Sequence, residues 1–379
     1  MSKLEDLIAE LCPNGVEYKK ISDVADYEQP TKYIVKSTKY DNSFATPVLT
    51  AGQSFILGYT DELDNIYLAS KDDPVIIFDD FTGAIQWVDF PFKVKSSAMK
   101  MITAKPNVLI RYLYHWMSLL GFSSSEHKRL WIGTYSNFEI PVPPLEVQAE
   151  IVRILDTFTE LTAELTAELT TRKKQYEYYR DTLLTFNDNN PLHSLISRYC
   201  PNGVEYKALS EVSDMKRGTT VTKKSVNPGD IPVISGGREP AYYCDTSNRN
   251  GETITVAGSG AGAGFVQYWD KPIFVCDAFS VKGIDDLTST KFLYYVLLSK
   301  QEAIYATKKG GGVPHVHISS IKDFEIPIPP LEVQRQIVQI LDRFDALCND
   351  LTQGLPAEIE ARRKQYEYYR DQLLTFKRA

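Results

Sequence analysis

The chain has 379 residues, enough for two or three domains, with 43% hydrophobic and 24% charged residues and a formal net charge of −7. That acidic balance argues against a protein held to nucleic acid by bulk positive charge. There is no run of eighteen apolar residues and no basic, apolar leader at Met1, so neither a membrane span nor a secretory signal is expected, and a cytoplasmic location is.

The charge is uneven. Residues 20–137 hold 12 basic against 13 acidic side chains and residues 207–323 hold 14 against 12, so the acidic excess falls outside them, mainly on the helical segments. The five cysteines, Cys12, Cys200, Cys244, Cys276 and Cys348, form no C-x-x-C pair and read as small buried residues rather than metal ligands.

In chain order, LEDLIAEL spaces Leu4, Leu7, Ile8 and Leu11 as a short amphipathic helix, which the turn Pro13-Asn14-Gly15 stops. Residues 21–137 alternate short apolar runs with Gly, Asp and Asn turns, the pattern of a mixed, mainly β domain, with one helix around Leu109–Leu120. At Phe138 the sequence FEIPVPPLEVQ opens a long helical pattern that runs to RKKQYEYYRDTLLTF at Phe186. Its Pro143-Pro144 pair suits a helix start, and the apolar positions Ile151, Ile154, Phe158, Leu161, Leu165, Leu169, Tyr176, Tyr179 and Leu183 step by three and four.

The whole pattern then recurs. LHSLISRYCPNGVEYK starts at Leu192, a second strand-and-turn region follows, and FEIPIPPLEVQ at Phe324 opens a second helical stretch to RRKQYEYYRDQLLTF at Phe376. Its stripe is Ile337, Ile340, Phe344, Leu347, Leu351, Leu355, Ile359, Tyr366, Tyr369 and Leu373, with Gly354 and Pro356 expected to kink or break the helix. A helix of roughly forty residues, about 60 Å long, with one apolar stripe needs a partner, and its own copy is the obvious one.

The two strand regions have diverged, yet echoes align them. PVLTAGQ (Pro47–Gln53) lines up with PVISGGR (Pro232–Arg238), and GAIQWVDFPFKV (Gly83–Val94) with GFVQYWDKPIFV (Gly264–Val275). The first long helix also holds Thr162-Ala163-Glu164-Leu165 followed at once by Thr166-Ala167-Glu168-Leu169. Four helical residues add about 6 Å and a net turn of about 40°, close to the twist of about 35° per base pair of DNA.

Near-identical helices alternating with divergent domains, the PxPPLxxQxxI openings, the KQYEYYRD endings and the tandem TAEL together resemble the DNA-specificity subunit of a type I restriction-modification system, of the branch called type IC. The resemblance spans the chain. It implies an α+β architecture of two mixed, mainly β target-recognition domains separated by two long antiparallel helices in a coiled coil, a pseudo-twofold internal repeat. The expected segments are 1–20 (short helix and turn), 21–141 (recognition domain 1), 142–187 (spacer helix 1), 188–208 (repeated helix and turn), 209–327 (recognition domain 2) and 328–379 (spacer helix 2). It further implies that each domain reads one half of a split, asymmetric target in double-stranded DNA. The helices would set the spacer and dock two modification (M) subunits, which carry S-adenosylmethionine and methylate adenine, with restriction (R) subunits joining the complex. The chain itself is expected to hold no cofactor and catalyse nothing.

A search for chemistry agrees: no N-P-P-Y, D-P-P-Y, G-x-x-x-x-G-K-[ST], H-E-x-x-H or G-x-S-x-G occurs. GSGAGAG (Gly258–Gly264) formally fits a dinucleotide turn, which keeps an S-adenosylmethionine or nucleotide enzyme as one alternative; a coiled-coil scaffold binding protein is the other. For base readout, Arg suits guanine and Gln or Asn suits adenine, so Gln53 and Arg238 are the leading pair. Tyr59, Thr82 and Gln86 join them in the first domain, and Ser235, Tyr242, Ser259 and Gln267 in the second. His127-Lys128-Arg129 and the basic loop Lys308, Lys309, His315 and His317 are candidate backbone contacts, the two histidines being read as one face of a strand. Leu161, Leu165, Leu169, Tyr176, Tyr179, Leu351, Leu355, Tyr366 and Tyr369 are the candidates for spacer pairing and subunit docking.

Overall fold

The computed structural model describes residues 3–50, 55–122, 128–310 and 312–379. Two compact units result: Met1–Leu165 with Ile359–Ala379, and Thr166–Glu358. The first contains α1 (Lys3–Leu11), β1 (Tyr18–Lys20), α2 (Ile21–Val24), β2 (Ala25–Glu28), β3 (Thr46–Leu49), β4 (Ile56–Thr60), β5 (Val75–Asp79), β6 (Ile85–Val88), β7 (Lys93–Val94), β8 (Met99–Ala104), α3 (Ile110–Leu120) and β9 (Glu139–Pro141). Next comes α4 (Leu145–Leu183), within which the unit boundary falls. The second contains α5 (His193–Tyr199), β10 (Glu205–Ala208), α6 (Leu209–Val212), β11 (Ser213–Arg217), β12 (Ile231–Ile234), β13 (Tyr242–Cys244), β14 (Thr253–Ala257), β15 (Val266–Trp269), β16 (Phe274–Val275) and β17 (Ala278–Gly283). It continues with α7 (Thr290–Ser299), α8 (Gln301–Ala306), α9 (Ile318–Ile321), β18 (Glu325–Ile328) and α10 (Leu331–Asn349); α11 (Leu355–Leu373) runs from the second unit back into the first.

Both strand-rich domains have one topology. A four-stranded antiparallel sheet runs β2-β8-β5-β6 in the first and β11-β17-β14-β15 in the second. A three-stranded sheet runs β4-β3-β7 and β13-β12-β16, each with one parallel pair. The central strands VIIFD and TITVA are buried along their whole length, because neighbouring layers cover both faces. The repeated PNGVEYK and FEIP segments pair as β1 with β9 and β10 with β18, forming a small ribbon at the base of each domain.

The repeated PPLEVQ glutamine explains why that motif occurs twice. Gln148 accepts from the Leu109 N–H at 2.9 Å and donates to the Asn107 and Pro143 carbonyls. Gln334 accepts from Ser289 N–H and the Thr288 hydroxyl and donates to the Leu287 and Pro329 carbonyls. Both side chains are fully buried, so each clamps the loop before its domain's helix to the first turn of the long helix.

The helix stripe works as two reciprocal pairings. In the first unit Phe158 of α4 stacks on Tyr369 of α11 at 5.2 Å; in the second Tyr179 of α4 stacks on Phe344 of α10 at 5.3 Å. In the first unit the residues after α11 return to Val16, beside the ribbon that feeds α4, so α11 ends where α4 begins and the two run antiparallel. The second helical stretch is broken, as Gly354 and Pro356 predict, between Asn349 and Leu355. Asp350 caps the break by accepting from the Thr352 and Gln353 N–H groups, and a side chain at Gly354 would meet the Ala346 carbonyl at 2.6 Å. Leu351 therefore departs from its expected place on the stripe: it lies in the gap and is 80% exposed.

Candidate nucleic-acid interface

Each domain brings its loops together at the tip of one hairpin. In the first domain the β5–β6 turn is met by the segment before β9, through Leu130 N–H donating to the Asp80 carbonyl at 2.8 Å. In the second, Val316 N–H donates to the Gly258 carbonyl at 3.0 Å. Strand register makes Asp80 and Gly258 equivalent, since Asp79 pairs with Met99 as Ala257 pairs with Ala278. Arg129 and His315 therefore occupy the same position on two unlike rims.

What these rims offer differs. The buried Asp80 carboxylate accepts from the Leu130 and Trp131 N–H groups and pairs with Lys100 at 3.2 Å, while Arg129 reaches it at 3.2 Å and lies over the Phe81 ring. Arg129 is thus half tethered, with its side chain 51% exposed, and Lys128 beside it is exposed. Thr82 is exposed in the hairpin turn, where its N–H donates to Asp79, and Gln86 is exposed on β6. Gln53 and His127 lie outside the described residues.

In the second domain three loops converge. Gly260 N–H donates to the Pro314 carbonyl, Lys309 and His315 exchange backbone hydrogen bonds at 3.0 and 2.8 Å, and a Cβ at Gly236 or Gly262 would collide with the backbone of Ser259 or Gly236. Only glycine permits this approach, and Gly260 and Gly264 also adopt φ of 80° and 84°. Arg238 is exposed with its guanidinium 5.0 Å from the Phe265 ring, and the Gln267 amide donates to the Arg238 carbonyl at 2.5 Å. Ser235 is half-buried, and the Ser259 hydroxyl is held by Asp277. Lys308 lies over the Tyr305 ring at 4.0 Å, and Lys309 is exposed. A cleft of about 310 Å³ opens beside these loops, lined by Arg217, Thr220, Asp277, His315 and His317.

Two expectations change here. His315 and His317 do share a side, their rings stacked at 6.0 Å, but they sit on a bridged loop and not on a strand, because the preceding glycines turn the chain back onto the hairpin. Gly258–Gly264 joins β14 to the antiparallel β15; no helix follows it, so the turn that would cradle a dinucleotide is not formed. Among the described residues no group of three or more His, Cys, Asp and Glu is placed to hold a metal ion.

Register corrects one choice. Pro47 pairs with Tyr59 and Pro232 with Tyr243, so the counterpart of Tyr59 is Tyr243, which is 54% exposed. Tyr242 turns inward and donates to the Val221 carbonyl at 2.9 Å. The alternation of inward and outward side chains on a strand was the signal, and two adjacent tyrosines conceal its phase. Gln86 and Gln267 do match, opposite Ile77 and Thr255.

On the helices Leu161, Leu165 and Leu169 are half-buried, and Tyr176 and Leu355 are buried in the second unit. Tyr366 is tied to His115 at 2.9 Å, and Tyr179 and Tyr369 stack within their units. The neighbours Tyr178 and Tyr368, 66% and 62% exposed, are the ones turned to solvent.

The chain matches the family described as the type I restriction modification DNA specificity domain at residues 13–172 and again at 201–361. It is 41% identical to the EcoR124I/EcoR124II specificity subunit of Escherichia coli, covering 99% of this chain and 97% of that one. It is 30% identical to a putative type I restriction enzyme specificity subunit of Haemophilus influenzae, with 95% and 96% covered. In fold it is similar to the S subunit of a type I restriction-modification system from M. genitalium, with a TM-score of 0.67 at 15% identity over 96% of this chain and 97% of that one.

Proposed function

Because the chain belongs to the type I restriction modification DNA specificity family, we propose that it selects DNA for a larger complex and performs no chemistry itself. Each unit's hairpin tip and its closing loop face one half of a bipartite target in double-stranded DNA. Arg238, Tyr243, Gln86 and Tyr59 are the candidates for base edges, and Lys128, Lys309 and the histidine pair for the backbone. The observation that carries this reading is internal. One frame is built twice with the same register and the same glutamine clamps, while the rims differ, Asp80 with Arg129 in one and glycine with His315 in the other.

The helices set the distance between half-sites and dock two modification subunits, on which S-adenosylmethionine binds; restriction subunits join through that complex. The location is the cytoplasm, where the chromosome is; among the described residues no helix is long and apolar enough to cross a membrane. The test is methylome sequencing of cells carrying this chain and its modification subunit. Exchanging residues 21–141 for another domain of the same topology should change one half-site and leave the other intact. Methylation that ignores the exchange would refute the reading, as would methyl transfer by the purified chain alone.

A further inference from the structure

The two units differ at one repeated place. In the first, the segment 377–379 lies along the PNGVEYK turn: Val16 N–H donates to the Lys377 carbonyl at 2.8 Å, Ala379 N–H donates to the Val16 carbonyl at 3.1 Å, and Val16 and Arg378 form a parallel bridge. The Tyr18 hydroxyl donates to the Phe376 carbonyl at 2.8 Å. Arg378 forms an ion pair with Glu139 and its guanidinium sits 4.5 Å from the Tyr18 ring centroid. A side chain at Gly15 would meet the Lys377 carbonyl at 2.7 Å, which shows how closely this strand is seated.

In the second unit every receptor residue is repeated. Gly203, Val204, Tyr206 and Glu325 stand where Gly15, Val16, Tyr18 and Glu139 stand, and Ala208 pairs with Glu325 as Lys20 pairs with Glu139. The strand that would fill the place is missing, because after Phe186 the chain must turn into α5. Asn190 makes that turn, donating to the carbonyls of Thr182, Leu183 and Thr185. Among the described residues nothing lies within 4 Å of where a Cβ on Gly203 would stand. Tyr206 is 49% exposed beside a cleft of about 300 Å³ that it lines with Pro327, Leu184 and Asp181. Glu325 is exposed and forms no ion pair among the described residues.

We infer that the Gly203–Tyr206 edge with Glu325 is a docking site for an extended basic segment of a partner polypeptide. That segment adds to the edge as a parallel strand and places an arginine between the Glu325 carboxylate and the Tyr206 ring. Strand addition supplies main-chain hydrogen bonds, and the carboxylate and ring select the arginine. The occupant's chemistry is read from the chain's own Phe-Lys-Arg-Ala at the matching place, and the site is independent of the DNA reading. A separate polypeptide fits better than a second copy, whose matching segment is already used within its own first unit.

A labelled peptide copying residues 375–379 is titrated into the full-length chain, with no DNA or other subunit present, and followed by anisotropy and amide exchange. Saturable binding with new protection at residues 203–206 is expected. Replacing the peptide's arginine by alanine, or Glu325→Ala in the chain, should weaken binding about tenfold, while Glu139→Ala should leave it unchanged. Glu325 is exposed, so its variant should fold. Absence of saturable binding overturns the inference, and so does undiminished binding by Glu325→Ala. A self-association of the chain that Arg378→Ala abolishes would assign the site to a second copy and overturn the partner. Failure of any of these leaves the DNA-selection reading standing, since that is judged by the methylated sequence.

Discussion

At the residue scale the repeat is most informative where equivalent side chains differ. On the face of α3 turned to the long helices, His115 is fully buried between Asp156 and Tyr366, each at 2.9 Å. A carboxylate only accepts, so Nε2–H donates to Asp156 and Nδ1 accepts from the Tyr366 hydroxyl. Burial pushes the imidazole's pKa below its ordinary value of 6.5 despite the Asp156 hydrogen bond, and the nearby Arg111 adds to that. The folded state then binds the proton less readily than the unfolded chain. Stability from this site is complete above about pH 6.5 and declines as pH falls toward the lower folded value. In the second unit the place is taken by Tyr295, whose hydroxyl donates to Asp342 at 2.5 Å. Amide exchange, corrected for intrinsic rates, should therefore show protection of residues 110–120 falling between pH 7.5 and 5.5 more than that of residues 290–299. His115→Gln should remove the difference.

With Tyr295 where the first unit has histidine, Tyr176, the repeat of Tyr366, keeps a buried hydroxyl with no hydrogen-bond partner among the described residues. Tyr366→Phe should cost about 1 kcal/mol, and Tyr176→Phe should be neutral or stabilise by up to about 1 kcal/mol. Thermal melts of the two variants would show the opposite signs. None of this was legible in QYEYYRD, which reads identically in both copies, because the partner that satisfies the hydroxyl comes from a region where the copies have diverged. Tyr243 was missed for a related reason: its phase depends on which residue faces Pro232 across the sheet.

At the scale of elements, apolar spacing and turn residues carried far. The helix starts, the strand-rich domains and the interruption at Gly354 all follow from local sequence, since proline, glycine and three-four periodicity act within a turn or two of themselves. Leu351 illustrates the limit: its spacing fits the stripe, yet the glycine three residues on removes the helix from under it. The tandem TAEL belongs to this scale too. The boundary between the compact units falls between Leu165 and Thr166, at the join of the two tetrapeptides, where the leucines are only half-buried. A change of length there adds or removes helix at the margin of the cores, where Leu169 packs only partly buried against the second. Deleting Thr166–Leu169 should shorten the spacer of the methylated target and preserve both half-sites. Altered half-sites in the methylome would contradict the spacing role.

For the whole molecule, two cores are closed by helix segments borrowed across the sequence. The first joins Leu4, Val16, Ile140, Ile151 and Leu155 to Leu374, with Tyr366, Leu373 and Phe376 packed against it. The second joins Tyr176 and Leu183 to Val333, Ile337 and Leu341. The duplicated order of the sequence made the repeat plain, and antiparallel pairing was a fair expectation from two single-striped helices. That each core takes half of α4 could not be read, since one stripe looks the same along its length. The consequence reaches back to synthesis on the ribosome. The second unit is one uninterrupted stretch, Thr166–Glu358, and has all its parts before Ile359–Ala379 is made. The first unit, although begun earlier, waits for Ile359–Ala379, so the half made first is finished last, and until then its greasy seam is left for chaperones to guard.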